Sequence, residues 1–372
     1  LRIAIIIGPY YPVPTLLGGA VEKIQLRLAE AYAAAGHEVT IISRQFGELA
    51  SEEIIAQVRH IRIPSFDRAR SNVANFLHDL IYSRRAAKIA PKADVTVTNG
   101  FSLPLFLSRR RAGRIYVHVA RFPKRQFFLY WKADRFQAVS SAVARAIGRQ
   151  TPSLAKKVVT IANPLPAPYF RDETKNFTVL FVGRIAREKG VHLLIEAFHQ
   201  ATQREGCDPR WQLRIVGSAA FEHGGDGPAY LGELKQIAAP LGRRCQFIGP
   251  IFDEAALIGE YAAAAIFAYP SLASKGEAFG LAPLEAMAAG CAVIVSNLEC
   301  FEDYVRNGAN ALQFDILADK PIAHLADNLA VLMADGDKRV KLGAAARSQA
   351  KAFGLPVIAH RMLEDFECLL RQ

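Results

Sequence analysis

Glu277 and Glu285 form an E-x7-E pair around Phe279-Gly280-Leu281, within the stretch SLASKGEAFGLAPLEAMAAG at 271–290. Pro283 suits the first turn of a helix and Gly290 its end, so residues 283–289 are predicted to be a short helix. Glu285 then sits in the first turn and Glu277 in the loop before it. A helix N-terminus beside a glycine turn offers bare N–H groups to an anion. The flanking acids fit two descriptions. They are solvated charges, which helix starts favour, or they accept hydrogen bonds from hydroxyls of a ligand whose anionic part the N–H groups hold. A nucleotide sugar is a ligand of the second kind.

Arg184 and Lys189 follow a predicted strand at 178–182, in Gly183-Arg184-Ile185-Ala186-Arg187-Glu188-Lys189-Gly190. A forked guanidinium and a point-charge ammonium suit the two phosphates of a nucleoside diphosphate, and they equally suit a solvated basic turn. Both cations and the 277–285 segment fall in strand-end loops of one predicted sheet, so they can converge. His118 ends a predicted strand at 115–119. It could bond a sugar hydroxyl or move a proton, or it could be a satisfied structural residue. Asp335-Gly336-Asp337 has a D-x-D form, but it lies between two late helices, and no His or Cys clusters near the late acids. A metal site is therefore not expected.

The elements that position these residues alternate. A buried strand at 2–7 leads through a loop at 9–19 to a helix marked by Val21, Ile24, Leu28, Ala31 and Ala35, then to a strand at 39–42. Gly18-Gly19 at the helix entry is not G-x-G-x-x-G, so a nicotinamide or flavin dinucleotide is not indicated. Strands at 61–63, 95–98, 115–119, 136–139 and 158–161, with a helix at 72–89, complete the first half. The proline-rich 163–168 breaks all periodicity and is expected to be the linker. Strands at 178–182, 213–216, 245–248, 266–269 and 292–296 alternate with helices at 191–204, 230–241, 254–264 and 283–289. Helices at 321–334, 338–352 and 357–370 close the chain. The fold class is α/β: two doubly wound domains facing each other across a ligand cleft, at 1–170 and 171–352. Residues 353–372 form a helix packing back on the first domain.

The 372 residues carry a net charge of +11. Residues 1–170 hold 25 Lys and Arg against 10 Asp and Glu, and the remainder 21 against 25, so the basic excess belongs to the first half. That half is expected to meet an anionic surface or substrate. No recognition helix or RNA module accompanies the charge, so specific nucleic-acid binding is not expected. Around Arg109-Arg110-Arg111, Arg114 and FPKRQFFLYWK at 122–132, aromatics and cations interleave as at a membrane interface, or the aromatics pack in a core. No apolar run approaches the ~20 residues of a membrane span. The run at 3–7 is cut off by Gly8-Pro9, too short for a signal peptide. Five cysteines without metal-like spacing fit reduced thiols in a cytosol.

In order along the chain, Gly18-Gly19, AAAGHEV, His118, KADRFQAVSSAV, GRIAREKG, QFIGPI, YPS, EAFGLAPLEAMAAG and VRNGANALQF resemble the retaining glycosyltransferases of family 4. The resemblance implies a GT-B fold of two facing Rossmann-like domains. It also implies transfer of a hexose, with retention, from a nucleoside diphosphate, UDP above GDP or ADP, to a glycan or lipid-linked acceptor, without a metal or other cofactor. Carried over, Arg184 and Lys189 would hold the diphosphate, Glu285 the ribose and Glu277 the transferred sugar. Gly183, Phe279, Gly280 and Leu281 would support the donor, Ile248 and Ile251 the base, and Gly18 and Gly19 phosphate or acceptor. His118 would lie near the sugar. The implied setting is cytoplasmic, with peripheral association at the inner membrane. Asn163-Pro164, Glu299-Cys300 and the long loop at 217–230 depart from the family pattern. A nucleotide-sugar epimerase of the same fold and a catalytically silent nucleotide binder are the alternatives.

Overall fold

Short aliphatic runs buried on both faces pair side by side in two separate sheets. The computed structural model describes residues 1–16, 19–171 and 173–372. The first sheet contains β1 (Arg2–Ile6), β2 (Glu38–Arg44), β3 (Glu52–Ile55), β4 (Val58–Ile63), β5 (Val95–Thr98), β6 (Arg114–Val119), β7 (Arg135–Ala138) and β8 (Val158–Thr160). Their order is β3-β4-β2-β1-β5-β6-β7-β8, parallel except for β3 against β4. The second sheet contains β9 (Asn176–Val182), β10 (Gln212–Val216), β11 (Cys245–Gly249), β12 (Ala264–Tyr269), β13 (Ala292–Ser296) and β14 (Leu312–Phe314). It is parallel throughout, in the order β11-β10-β9-β12-β13-β14. Strand order reverses between β1 and β5 in one sheet and between β9 and β12 in the other. Such switch points open ligand crevices beyond the strands' carboxyl ends.

The chain divides into two units, Leu1–Pro164 with Leu355–Gln372, and Leu165–Gly354. The crossing thus lies at 164/165 and not at 170/171. The Leu165 N–H donates to the Phe353 carbonyl at 2.7 Å, and Arg347 donates to the Phe170 carbonyl at 2.8 Å, drawing 165–170 into the second unit. The return crossing falls at 354/355, two residues later than 352/353.

The closing helix Leu355–Arg371 buries Ile358, Ala359, Met362, Phe366 and Leu369, the four larger side chains each worth roughly 1.5–3 kcal/mol. The Phe366 ring meets Tyr32 and Tyr116 edge-on. Asp365 accepts a hydrogen bond from the Tyr116 hydroxyl at 2.9 Å and pairs with Arg135 at 3.0 Å. Burial, and then Asp365, push the Tyr116 phenol well above its ordinary range.

Candidate active site

The second unit gathers its candidates beyond β9 and β12. Gly183 follows β9, and its N–H donates to Val216 at 3.0 Å. The 184–190 loop then runs against the loop after β12, where the Leu272 N–H donates to the Glu188 carbonyl at 2.7 Å. Gly190 has φ 67°, and a Cβ there would strike the Pro270 carbonyl. That close approach demands glycine. It places Lys189, at the end of one loop, over Glu277, in the other.

Lys189 Nζ lies 2.6 Å from Glu277 Oε2, with both side chains nearly buried. The Tyr269 hydroxyl donates to the same oxygen at 2.9 Å and the Ser271 hydroxyl at 3.4 Å. Three protein donors therefore converge on Oε2, while Oε1 receives none among the described residues. Burial, and then the Glu277 charge, raise the Tyr269 phenol well above its usual range, so it remains a donor. Lys189 is thus not a free cation in a basic turn. Arg184 is also engaged: it bonds Glu188 at 2.7 Å and the Gly224 carbonyl, with its guanidinium half-exposed.

The next helix runs Leu281–Ala288, so it starts two residues before the sequence-based expectation, and Glu285 stands in its second turn, not its first. Gly280 caps it with φ 76°, where a Cβ would run into the Phe301 ring and the Tyr304 hydroxyl. Neither the Gly280 nor the Leu281 N–H donates to a protein acceptor among the described residues. Tyr304 fixes the turn by donating to the Phe279 and Gly280 carbonyls at 3.1 and 2.7 Å. The Phe279 ring is buried against Tyr304 and Phe353 and turns no face outward. Glu285 Oε2 accepts from the Tyr261 hydroxyl at 2.8 Å. Tyr261, Tyr269 and Tyr304 all position this site; Tyr269 opens the YPS motif, while Tyr261 and Tyr304 carried no sequence signal beyond apolar context.

Ile248 lies on the edge strand β11 and Ile251 just past it, both partly exposed. The loop expected at 217–230 ends at Asp226, where the helix Gly227–Ala238 begins, and it is bound to the phosphate-candidate loop. The Ile185 N–H donates to Ser218 at 2.9 Å, and Asp226 accepts from the Arg187 N–H at 2.6 Å. Asp335 caps the helix Gly336–Ala350 by accepting from the Lys338 N–H at 2.8 Å, which is a structural use of the D-x-D form. Among the described residues no group of three metal-ligating side chains assembles.

In the first unit, His118 is buried on β6, its Nδ1 2.5 Å from Gln137 Oε1. The Gln137 amide nitrogen is spent on the Ile161 carbonyl, so Oε1 must accept and Nδ1 carries the proton. The Nε2 lone pair is buried and has no hydrogen-bond partner among the described residues. Burial holds the imidazole below its usual pKa, and only the Gln137 bond opposes it. Gly19, at φ 106°, caps the helix Ala20–Ala34, and a side chain on it would collide with the Glu22 carboxyl. Glu22 is itself buried and pushed up in pKa by that burial. Gly18 lies outside the described residues.

Two family models match in tandem: "Glycosyltransferase Family 4" over residues 18–167 and "Glycosyl transferases group 1" over 169–349. The phosphatidyl-myo-inositol mannosyltransferase of Mycobacterium tuberculosis is 31% identical over 193 residues, 51% of this chain and 47% of that protein. The lipopolysaccharide core biosynthesis mannosyltransferase LpsB of Rhizobium meliloti is 29% identical over 206 residues, 54% of each. These matches span about half the length of the relatives. Anabaena HepE, solved with UDP and glucose, shares the fold with a TM-score of 0.74 at 18% identity, covering 99% of both chains. The tandem of family matches along the two parallel-sheet units makes the chain a member of the family 4, group 1 glycosyltransferases, with a GT-B fold.

Proposed function

We propose that this chain transfers a hexose from a nucleoside diphosphate to a hydroxyl of a cell-envelope or lipid-linked glycan, with retention at the anomeric carbon. The observation that carries the reading is the Lys189–Glu277 pair at the β9/β12 switch point. It leaves Glu277 Oε1 for a sugar hydroxyl and the Gly280 and Leu281 N–H groups for an anion. Glu285, steadied by Tyr261, would take the ribose hydroxyls. His118 Nε2, a buried acceptor with no donor among the described residues, would take a hydroxyl hydrogen bond. UDP is the nucleotide proposed first, as HepE was solved with it. The relatives named for phosphatidyl-inositol and lipopolysaccharide support the acceptor class.

In the chemical step the acceptor oxygen attacks the anomeric carbon on the face from which the diphosphate departs. The new C–O bond forms as the bond to phosphate breaks. The electron pair stays on the diphosphate oxygen, which takes the acceptor's proton. Lys189 has N–H groups beyond the one given to Glu277, and Arg184 holds Glu188 in a half-exposed pair that is cheap to exchange. Both would stabilise the departing charge, the role a metal ion fills in other transferases.

The test is to follow melting with UDP-, GDP- and ADP-hexoses and then the anomeric configuration of the product by NMR. One donor stabilises the protein, and an α-linked product forms only with an acceptor present. Melting indifferent to every nucleotide sugar, or an epimerised donor formed without acceptor, sinks the reading.

A further inference from the structure

Two helices of the second unit, Glu254–Ala263 and Leu281–Ala288, supply the two ends of the Tyr261–Glu285 hydrogen bond. The carboxyl ends of both meet one side chain, Lys175, which stands just before β9. Its Nζ donates to the Ala262 and Ala289 carbonyls at 2.7 Å each, and to the Tyr261 carbonyl at 3.4 Å. A helix leaves its last four carbonyls without an N–H from its own backbone, and its dipole makes that end negative. One ammonium with three protons therefore answers two such ends at once. Beside it, Cys291 Sγ donates to the Tyr261 and Ala264 carbonyls at 3.2 and 3.3 Å. Burial pushes the Cys291 thiol up to about 11, so it remains a neutral donor and Lys175 supplies the charge.

The ammonium reaches each half of the pair through one residue. Tyr261 accepts from Lys175 through its carbonyl and donates to Glu285 Oε2 through its hydroxyl at 2.8 Å. Ala289 accepts from Lys175 through its carbonyl, and its N–H donates to the Glu285 carbonyl at 3.0 Å. The helix carrying Glu285 has little slack at this end. Gly343 of helix Gly336–Ala350 packs so closely on it that a Cβ there would strike the Gly290 carbonyl. At its other end the same helix starts from Gly280, whose turn Tyr304 holds. A ligand-binding carboxylate keeps its aim only while the elements beneath it are locked.

We propose that Lys175 is a positioning residue for the donor: by holding the carboxyl ends of both helices it fixes Tyr261 against Glu285 and so aims the Glu285 carboxylate at the ribose hydroxyls. The proposal rests on the reading of Glu285 as the ribose acceptor and adds to it a residue that touches no substrate. Lys175 precedes the amino end of β9, whereas Arg184 and Lys189 follow its carboxyl end. The seven residues of that strand put roughly 20 Å between them. The Lys175 charge is therefore spent on the helices and not on the diphosphate.

The test is calorimetric titration with UDP, GDP and ADP, at a temperature where melting shows each variant folded. With the nucleotide that wild type binds, Lys175→Met should weaken affinity roughly tenfold. Lys175 borders a cavity of about 790 Å³ that Phe177, Trp211 and Arg339 also line, so a longer cation has room there. Lys175→Arg should therefore restore affinity to within about threefold of wild type. Glu285→Ala should weaken affinity by itself, and adding Lys175→Met to it should change affinity less than about twofold, since the carboxylate being aimed is gone. A merely structural brace would lower the melting temperature without this dependence on Glu285. Wild-type affinity in Lys175→Met overturns the proposal. So does a full further loss on top of Glu285→Ala, which would place the action of Lys175 elsewhere. If Lys175→Met does not fold, Lys175→Gln, which keeps two N–H donors, carries the same comparison. Wild-type affinity in Glu285→Ala overturns the ribose assignment beneath the proposal, and is read from a variant in which Lys175 is intact.

Discussion

Lys189 and Glu277, 88 residues apart, meet at 2.6 Å in a nearly closed pocket of protein. Each charge is tolerable there because of the other. Removing one partner, by Lys189→Met or Glu277→Leu, is expected to cost about 3–5 kcal/mol by leaving a buried charge unmatched. The double variant should cost clearly less than the sum, as read by urea denaturation. Strictly additive costs would show that the two charges do not depend on each other.

Glu277→Gln keeps the size of the side chain and its capacity to accept from Tyr269 and Ser271. Its charge, and the strength of any sugar bond at Oε1, are lost. We expect turnover to fall on the order of 100-fold, with UDP affinity changed by less than about threefold. Calorimetric titration of UDP beside initial rates checks this, and a parallel loss of both would contradict the sugar assignment.

The Gly280 turn is held by fit rather than by charge. Gly280→Ala must place a methyl against Phe301 in a backbone region alanine avoids, and should lower stability by about 1–3 kcal/mol. Tyr304→Phe removes the one hydroxyl proton shared between the two turn carbonyls, costing about 1–3 kcal/mol. Both should weaken donor binding beyond the loss of stability, measured by melting with and without nucleotide sugar. A donor-induced shift equal to wild type would show that the turn's geometry is irrelevant to binding.

Burial depresses the pKa of His118 below its ordinary 6.5. The unfolded chain therefore takes up a proton at a pH where the folded chain does not. Stability from this residue is full above about 6.5 and is lost as pH falls below that value towards the folded pKa. His118→Asn should melt with a shallower decline between about pH 7.5 and 5.5 than wild type. An unchanged slope would mean that His118 takes up its proton in the fold as readily as outside it.

The parallel-sheet strands were legible because burial on both faces writes continuous apolar runs, and most strand positions agree within two residues. The β3–β4 hairpin was not, because its turn places Ala56 and Gln57 at positive φ, where Asn-Gly would have been the recognisable signal. β14, at three residues, is too short to show a period. Within the site, the convergence of the 184–190 and 271–290 loops followed from topology. The pairing of Lys189 with Glu277 did not, since it depends on the Gly190–Pro270 approach.

The first unit is interrupted: its last helix is encoded beyond the whole of the second. During synthesis Asp365 reaches Tyr116 and Arg135 only after residues 165–354 have been made. The contiguous second unit can therefore complete its core while the first still waits, with the docking surfaces of Tyr32 and Tyr116 uncovered. Loss of the final turns of the chain would then damage the unit that begins it.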